Sequence, residues 1–371
     1  MNKTAKPAPR IEGIDLARGL ASLIMIQGHA YDGWVSAAAK QTAAYRFTRL
    51  LGTLPLPAFL VLVGAAMALR WEAALRRQEA ACQVRRALAW RGVQVLGWGY
   101  ATNIAYALMD GIDSWQTLLR VDVLQVIALS ILLSAAVAPG GQTPLRRAQL
   151  RAFAGRLTTL GVGISLLCPW LTAGVHALPR PWHWGLAWAV ASEGLTPMPL
   201  VPLAAWTVLG LVAALWLRAP KRHGRAQVEQ RAGSAHRAWG QLAMTAAAFT
   251  AGGLWLYAPL ERVSGIALSH RSPAIWANIL DLGGRGLLVM VLGAWGLSHL
   301  PAPARRALKR LGQGSLVAYV LHIPLCYGRL ALNWRGRLDM ETATLAVLLL
   351  MLGCWTAVWL RDGARRQLSR R

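Results

Sequence analysis

Acidic residues and cysteines are scarce in this chain. Only 15 Asp and Glu occur among 371 residues, and charged residues of both signs make up 15% of it. A soluble globular domain carries roughly 25% charge, so a string of soluble domains, the ordinary expectation at this length, is excluded. The four cysteines, Cys82, Cys168, Cys326 and Cys354, stand in neither a CxxC nor a zinc-ligand spacing, which excludes a disulfide- or zinc-stapled scaffold. No P-loop, strand-linked GxGxxG, HExxH or GxSxG is present, so the familiar soluble-enzyme chemistries are missing as well. No repeat with a period of about 20–50 residues is visible, and no solenoid is implied.

What the chain does have is apolar length. Hydrophobic residues make up 55%, Trp alone contributes 18, and the net charge is +25. A membrane span needs about 20 apolar residues, so ten spans would use roughly 200, close to the apolar fraction. Ten long apolar runs stand near 14–35, 50–70, 89–109, 121–138, 158–178, 198–217, 242–260, 274–299, 312–331 and 342–360. Backbone groups in lipid must be satisfied within their own segment, so these runs predict helices. The expected fold is an all-α polytopic membrane protein, one integral-membrane domain over 1–371. The basic Met1–Arg10 segment is followed by no small-residue cleavage site, so the first run is expected to be a retained helix.

The basic charge sorts by segment. More than two-thirds of the 40 Lys and Arg fall on the two tails and on alternate loops, among them Arg76, Arg77, Arg85 and Arg86, then Arg146, Arg147 and Arg151, then Arg305, Arg306, Lys309 and Arg310. Positive residues stay cytoplasmic. The pattern predicts an even number of spans with both termini in the cytoplasm of a cell inner membrane. Orientation and attraction to anionic lipid account for the charge. No soluble stretch is long enough for a basic nucleic-acid module, so the expected macromolecular partner is the lipid bilayer and not nucleic acid. Nothing in the pattern decides for or against a homo-oligomer.

After that subtraction, Arg18 and Arg285 are the basic residues left inside the runs. Ionisable groups within spans are costly and point to function. The first run carries Arg18, Gln27, His29 and Asp32. Arg18 and His29 are eleven residues apart, on one helical face and about 16 Å apart along the axis. Asp32, one turn after His29, is placed to reach the imidazole, an arrangement that suits a general base. The plainer alternative is a His satisfied by a backbone carbonyl, with Asp15–Arg18 an interfacial pair. The ninth run carries Tyr319 and His322, and Pro324 frees the carbonyl of Val320. A packing role is the alternative there. Asp281 and Arg285 have an internal ion-pair spacing, and Gln125 and Asn103 suit interhelical hydrogen bonds. Asp110, Asp113 and Asp122 cluster between the third and fourth runs, either solvated or holding a cationic amine. Trp182, His183 and Trp184 stand between the fifth and sixth runs, where Trp either stacks on a sugar or anchors the interface.

Four stretches carry a resemblance. Arg10-Ile-x-x-Ile-Asp15-x-x-Arg18-Gly-Leu-Ala leads to His29 after ten residues. Leu56-Pro57-Ala58-Phe59 runs to Gly64. Arg120-Val-Asp122-Val-Leu-Gln125 opens the fourth run. Gly314-Ser315-Leu316 leads to Tyr319 and His322-Ile323-Pro324. In this order they resemble the heparan-alpha-glucosaminide N-acetyltransferase-like proteins of the transmembrane acyltransferase superfamily. The resemblance implies an acetyltransferase that takes acetyl from cytoplasmic acetyl-CoA, with no metal, and passes it to an amino or hydroxyl group of a sugar or glycan on the far side. It implies His29 as the catalytic His, with Arg18 on the same helix.

The inventory suits that chemistry. His29 with Asp32 supplies the base, and Tyr319, His322 or Gln125 the oxyanion donors. Arg18, Asp15 and Gln125 belong to the donor side, and Trp182, His183, Trp184 and Asp122 to the acceptor side. The rival expectation is a secondary transporter or flippase for a sugar-type substrate, which would show discontinuous helices in two matched halves; no such pair is visible.

Overall fold

The computed structural model of the chain describes residues 12–110, 118–179, 190, 198–218, 228–264 and 274–368. Among these residues every regular element is helical, with isolated β-bridges in place of strands. The α-helices are α1 (Glu12–Trp34), α2 (Ala43–Gly52), α3 (Pro55–Arg77), α4 (Ala81–Asp110), α5 (Val123–Val137), α6 (Arg147–Ala177), α7 (Leu200–Arg218), α8 (Val228–Ser264), α9 (Ala274–Ala294), α10 (Ala302–Gln313), α11 (Ser315–Tyr327) and α12 (Met340–Leu368).

Each of the ten apolar runs holds a helix, but the runs are not equivalent. Five segments are long and apolar enough to cross a membrane: Ala43–Arg77, Arg147–Val175, Leu200–Leu217, Ile275–His299 and Met340–Gln367. α5 and α11 are apolar but short. α1, α4 and α8 are long, and charged or polar residues interrupt them.

Two helices stand where connecting segments were expected. α2 starts at Thr42, whose Oγ1 accepts from the Tyr45 N–H at 3.3 Å. α10 starts after Pro301, with a further proline in its first turn. Both are short and strongly two-faced, so neither registers as an apolar run. The expected 312–331 span shrinks accordingly, because Gly314 separates α10 from α11. The 274–299 run likewise ends its α-helix at Ala294 and closes with a short 3₁₀ turn at Gly296–His299.

α1 is the axis of the bundle and packs against α2, α3, α9, α10, α11 and α12. Its small residues permit the close approach. At Gly33 a Cβ would collide with the Cys326 carbonyl of α11, so that crossing requires glycine. Trp34 Nε1 donates to the Leu325 carbonyl at 2.8 Å and fixes the same crossing. Beyond α1, α3 packs on α7, α4 on α5 and α8 on α9. The largest apolar cluster lies under α3, α5, α6 and α7, where Trp71 meets Phe153. A second fills the space between α1, α11 and α12. Large apolar side chains also face outward, including Trp98 on α4, Trp170 on α6, Trp255 on α8 and Leu349 on α12. Water would penalise that perimeter and hydrocarbon would not.

Candidate functional site

The α1–α11 crossing brings the two expected histidines together. His29 Nδ1 and His322 Nε2 are 2.8 Å apart, with ring centroids at 5.1 Å and planes 8° apart. His322 is fully buried, and its Nδ1 lies 2.8 Å from the Ala318 carbonyl. A carbonyl can only accept, so His322 Nδ1 carries the proton and its Nε2 is a lone pair. His29 must then donate from Nδ1. Neutral His29 is left with a bare Nε2, the nitrogen turned away from the pair. One backbone carbonyl thus sets both tautomers.

Tyr319, one turn before His322, lies edge-on to that ring at 5.9 Å. It also ends a cavity of about 250 Å³. Arg18 and Arg91 line this cavity, with Met25, Phe59, Leu124 and Leu316 among its apolar walls. Its last residues on α1 and α11 are Met25 and Tyr319. On both helices the histidine follows within about one turn.

On the far side of His29 the arrangement differs from the expected one. Asp32 does not bond the imidazole. Its Oδ2 accepts from Tyr327 OH at 2.9 Å, and its Oδ1 from Tyr45 OH at 3.3 Å and from Arg49 at 3.2 Å. Lys40 reaches the Asp32 backbone carbonyl at 2.7 Å. The distant Tyr327 and α2 simply outcompete the imidazole for the carboxylate. Tyr327 also sets its ring against His29, centroids 5.8 Å apart.

The remaining expected residues sort as follows. Asp15 is buried and accepts from Gln313 of α10 at 2.8 Å, an anchor between helices and not a lining residue of the Arg18 cavity. Asp122 caps α5, accepting from the Val123 N–H at 2.8 Å, and pairs with Arg120 at 3.8 Å. Gln125 closes that capping box through Oε1 at 3.2 Å, a local bond in place of the expected interhelical one. Its buried Nε2 has no hydrogen-bond partner among the described residues. Asn103 reaches the Leu118 and Arg120 carbonyls. Arg285 Nε pairs with Asp281 at 2.7 Å, as the spacing suggested. Tyr106 OH donates at 3.2 Å to Val320, the carbonyl that Pro324 leaves without a helical partner. Asp113, Trp182, His183 and Trp184 lie outside the described residues, as does the side chain of Asp110.

Sequence reasoning missed Tyr327 and Arg91. Tyr327 is 295 residues from Asp32, and no local spacing links them. Arg91 lies ten residues into α4, inside the 89–109 run, and lines the same cavity as Arg18; a basic residue inside an apolar run was the available signal.

No curated protein matches the chain. Residues 10–247 match a family model described as heparan-alpha-glucosaminide N-acetyltransferase, catalytic. The matched stretch takes in Arg18, His29, Asp32, Asp122 and Gln125, whereas Tyr319 and His322 lie beyond it. Among the described residues no group of three or more His, Cys, Asp and Glu could hold a metal ion.

Proposed function

The chain belongs to the heparan-alpha-glucosaminide N-acetyltransferase catalytic family, and from that premise we propose a membrane-embedded acetyltransferase in which His29 is the general base. The donor is acetyl-CoA from the cytoplasm, and the acceptor is an amino or hydroxyl group of a sugar or glycan on the opposite side of the inner membrane. The observation that carries the reading is the His29–His322 pair beyond the inner end of the Arg18 cavity.

The cavity suits the donor's slender acyl-bearing arm better than its nucleotide, since about 250 Å³ falls below the usual range for whole cofactors. Apolar walls accept the arm, and Arg18 and Arg91 offer cations toward its phosphates. The thioester carbonyl then arrives beside Tyr319, whose phenol is a donor for the developing oxyanion. Gln125 Nε2 is a second buried donor in the neighbouring helix.

His29 Nε2 takes the proton from the acceptor nitrogen or oxygen as that atom attacks the carbonyl carbon. His322 accepts from His29 Nδ1–H throughout and so supports the imidazolium. When the tetrahedral adduct collapses, His29 Nε2 returns the proton to the departing thiolate. Transfer is direct, in a ternary complex that replaces a two-substrate collision by positioning.

The experiment incubates purified protein with labelled acetyl-CoA and glucosamine-type acceptors, beside His29→Ala. Wild-type transfer is expected, with a loss of about 10²–10⁴-fold in the variant. Absence of transfer to every amino- or hydroxy-sugar would overturn the reading. Equal transfer by the variant would remove His29 from its role, and a trapped acetyl-His29 would replace direct transfer by a two-step route.

A further inference from the structure

A second cavity, of about 260 Å³, lies outside the site described above. It is a groove between the start of α6 and the end of α7. α6 presents Arg147, Arg151 and Ala154 to it, at i, i+4 and i+7 on one helical face. α7 presents Val212, Leu215 and Trp216, and Glu72 of α3 forms part of the floor. The two helices run antiparallel here, so both charged and interfacial residues gather at one end. Past Arg151 the wall is apolar, with Ala154 on α6 and Val212 on α7.

The charge does not cancel. Glu72 is 4% exposed, and its carboxylate lies 3.6 Å from Arg147 Nη1. That pair is internally neutral. Arg151, one turn further on, forms no ion pair among the described residues and leaves the groove with one net positive charge. Trp216 is half-exposed beside it, an amphipathic ring of the type found at headgroup level. The shape therefore offers a cation at one end, an aromatic ring at the same height and an apolar trough beyond.

We infer that this groove binds an anionic phospholipid, its phosphate held by Arg151 beside Arg147 and the start of its chain laid between α6 and α7. A soluble anion would leave the apolar trough wet. A zwitterionic lipid carries its own ammonium and leaves the charge of Arg151 uncompensated. The inference is independent of the transfer reaction.

The test uses the full chain in detergent, followed by native mass spectrometry and thermal unfolding. Phosphatidylglycerol, phosphatidylethanolamine and inorganic phosphate are titrated separately. Phosphatidylglycerol is expected to bind and raise the melting temperature. Its affinity is expected to fall about fivefold in Arg151→Gln, the contribution of one basic residue near an anionic surface, and to weaken again in Trp216→Ala. Arg86→Gln, an exposed arginine on α4, is expected to change nothing. Equal binding of the two lipids, or an unchanged affinity in Arg151→Gln, would overturn the site. Saturation by inorganic phosphate alone would make it a simple anion site. An equal loss in Arg86→Gln would reduce it to general surface attraction.

Discussion

The proposed chemistry turns on one carbonyl oxygen and two imidazoles. The Ala318 carbonyl commits His322 to a single tautomer, and His322 in turn commits His29. A replacement at 322 is therefore expected to act according to what it can accept, more than according to its size. His322→Gln keeps an acceptor for His29 Nδ1–H and should retain part of the transfer rate. His322→Phe keeps the ring volume, offers no acceptor and should fall about 10²-fold or more. The rates of the two variants beside wild type decide it, and equal rates would reduce His322 to packing. Both histidines were legible in the sequence because ionisable groups within apolar runs stand out. Their bond was not, since α1 and α11 meet only in the folded bundle. The Asp32 expectation failed for a related reason. Helical spacing made residue 32 a neighbour of residue 29, but spacing cannot count the competing donors that Tyr327, Tyr45 and Arg49 bring from other elements.

Elements hold that pair in register. α1 and α11 approach closely because Gly33 has no side chain over the Cys326 carbonyl. Gly33→Leu is expected to push the helices apart, costing about 1–3 kcal/mol in overpacking and more in activity than in stability. A thermal melt read beside the transfer rate would separate the two, and a rate that tracks stability alone would contradict this account of the crossing. α2 hangs on the Asp32 carboxylate. Asp32→Ala removes three side-chain hydrogen bonds at once, at about 1.5–3 kcal/mol for each bond to a charged group as an upper guide. Hydrogen exchange over 43–52 should then speed up, while exchange over α12 stays unchanged. The ten apolar runs were legible as helices because period and length speak for themselves. α2 and α10 were hidden, since a short helix with one polar face has the composition of a loop. α5 and α11 fill their apolar runs with shorter helices, a difference that apolar content alone does not reveal.

At the scale of the molecule, the uneven distribution of arginine predicts a direction for the bundle across the membrane. Cys82 is the one of the four cysteines that is not buried, and it lies at the start of α4 among the basic residues. A membrane-impermeant maleimide should label it in inside-out vesicles and spare it in right-side-out ones. Gln41→Cys in a Cys82→Ala background, at the opposite end, should behave in the reverse manner. Labelling of both from one side would invert or break the proposed topology. The same polarity orders the site. Arg18 and Arg91 stand at the basic end of the cavity, the histidines lie past its inner end, and Asp32 and α2 lie beyond them.

The tautomer lock has a bioenergetic consequence. A proton entering the pair at His29 Nε2 can shift as far as His322, but the next group along is the Ala318 carbonyl, which has no proton to exchange. The relay is a cul-de-sac, and the proton leaves by the nitrogen through which it entered. In a membrane that carries a proton-motive force, such a pair would offer protons no through path. An uncoupler that collapses the pH gradient across sealed vesicles should leave the initial transfer rate where it was.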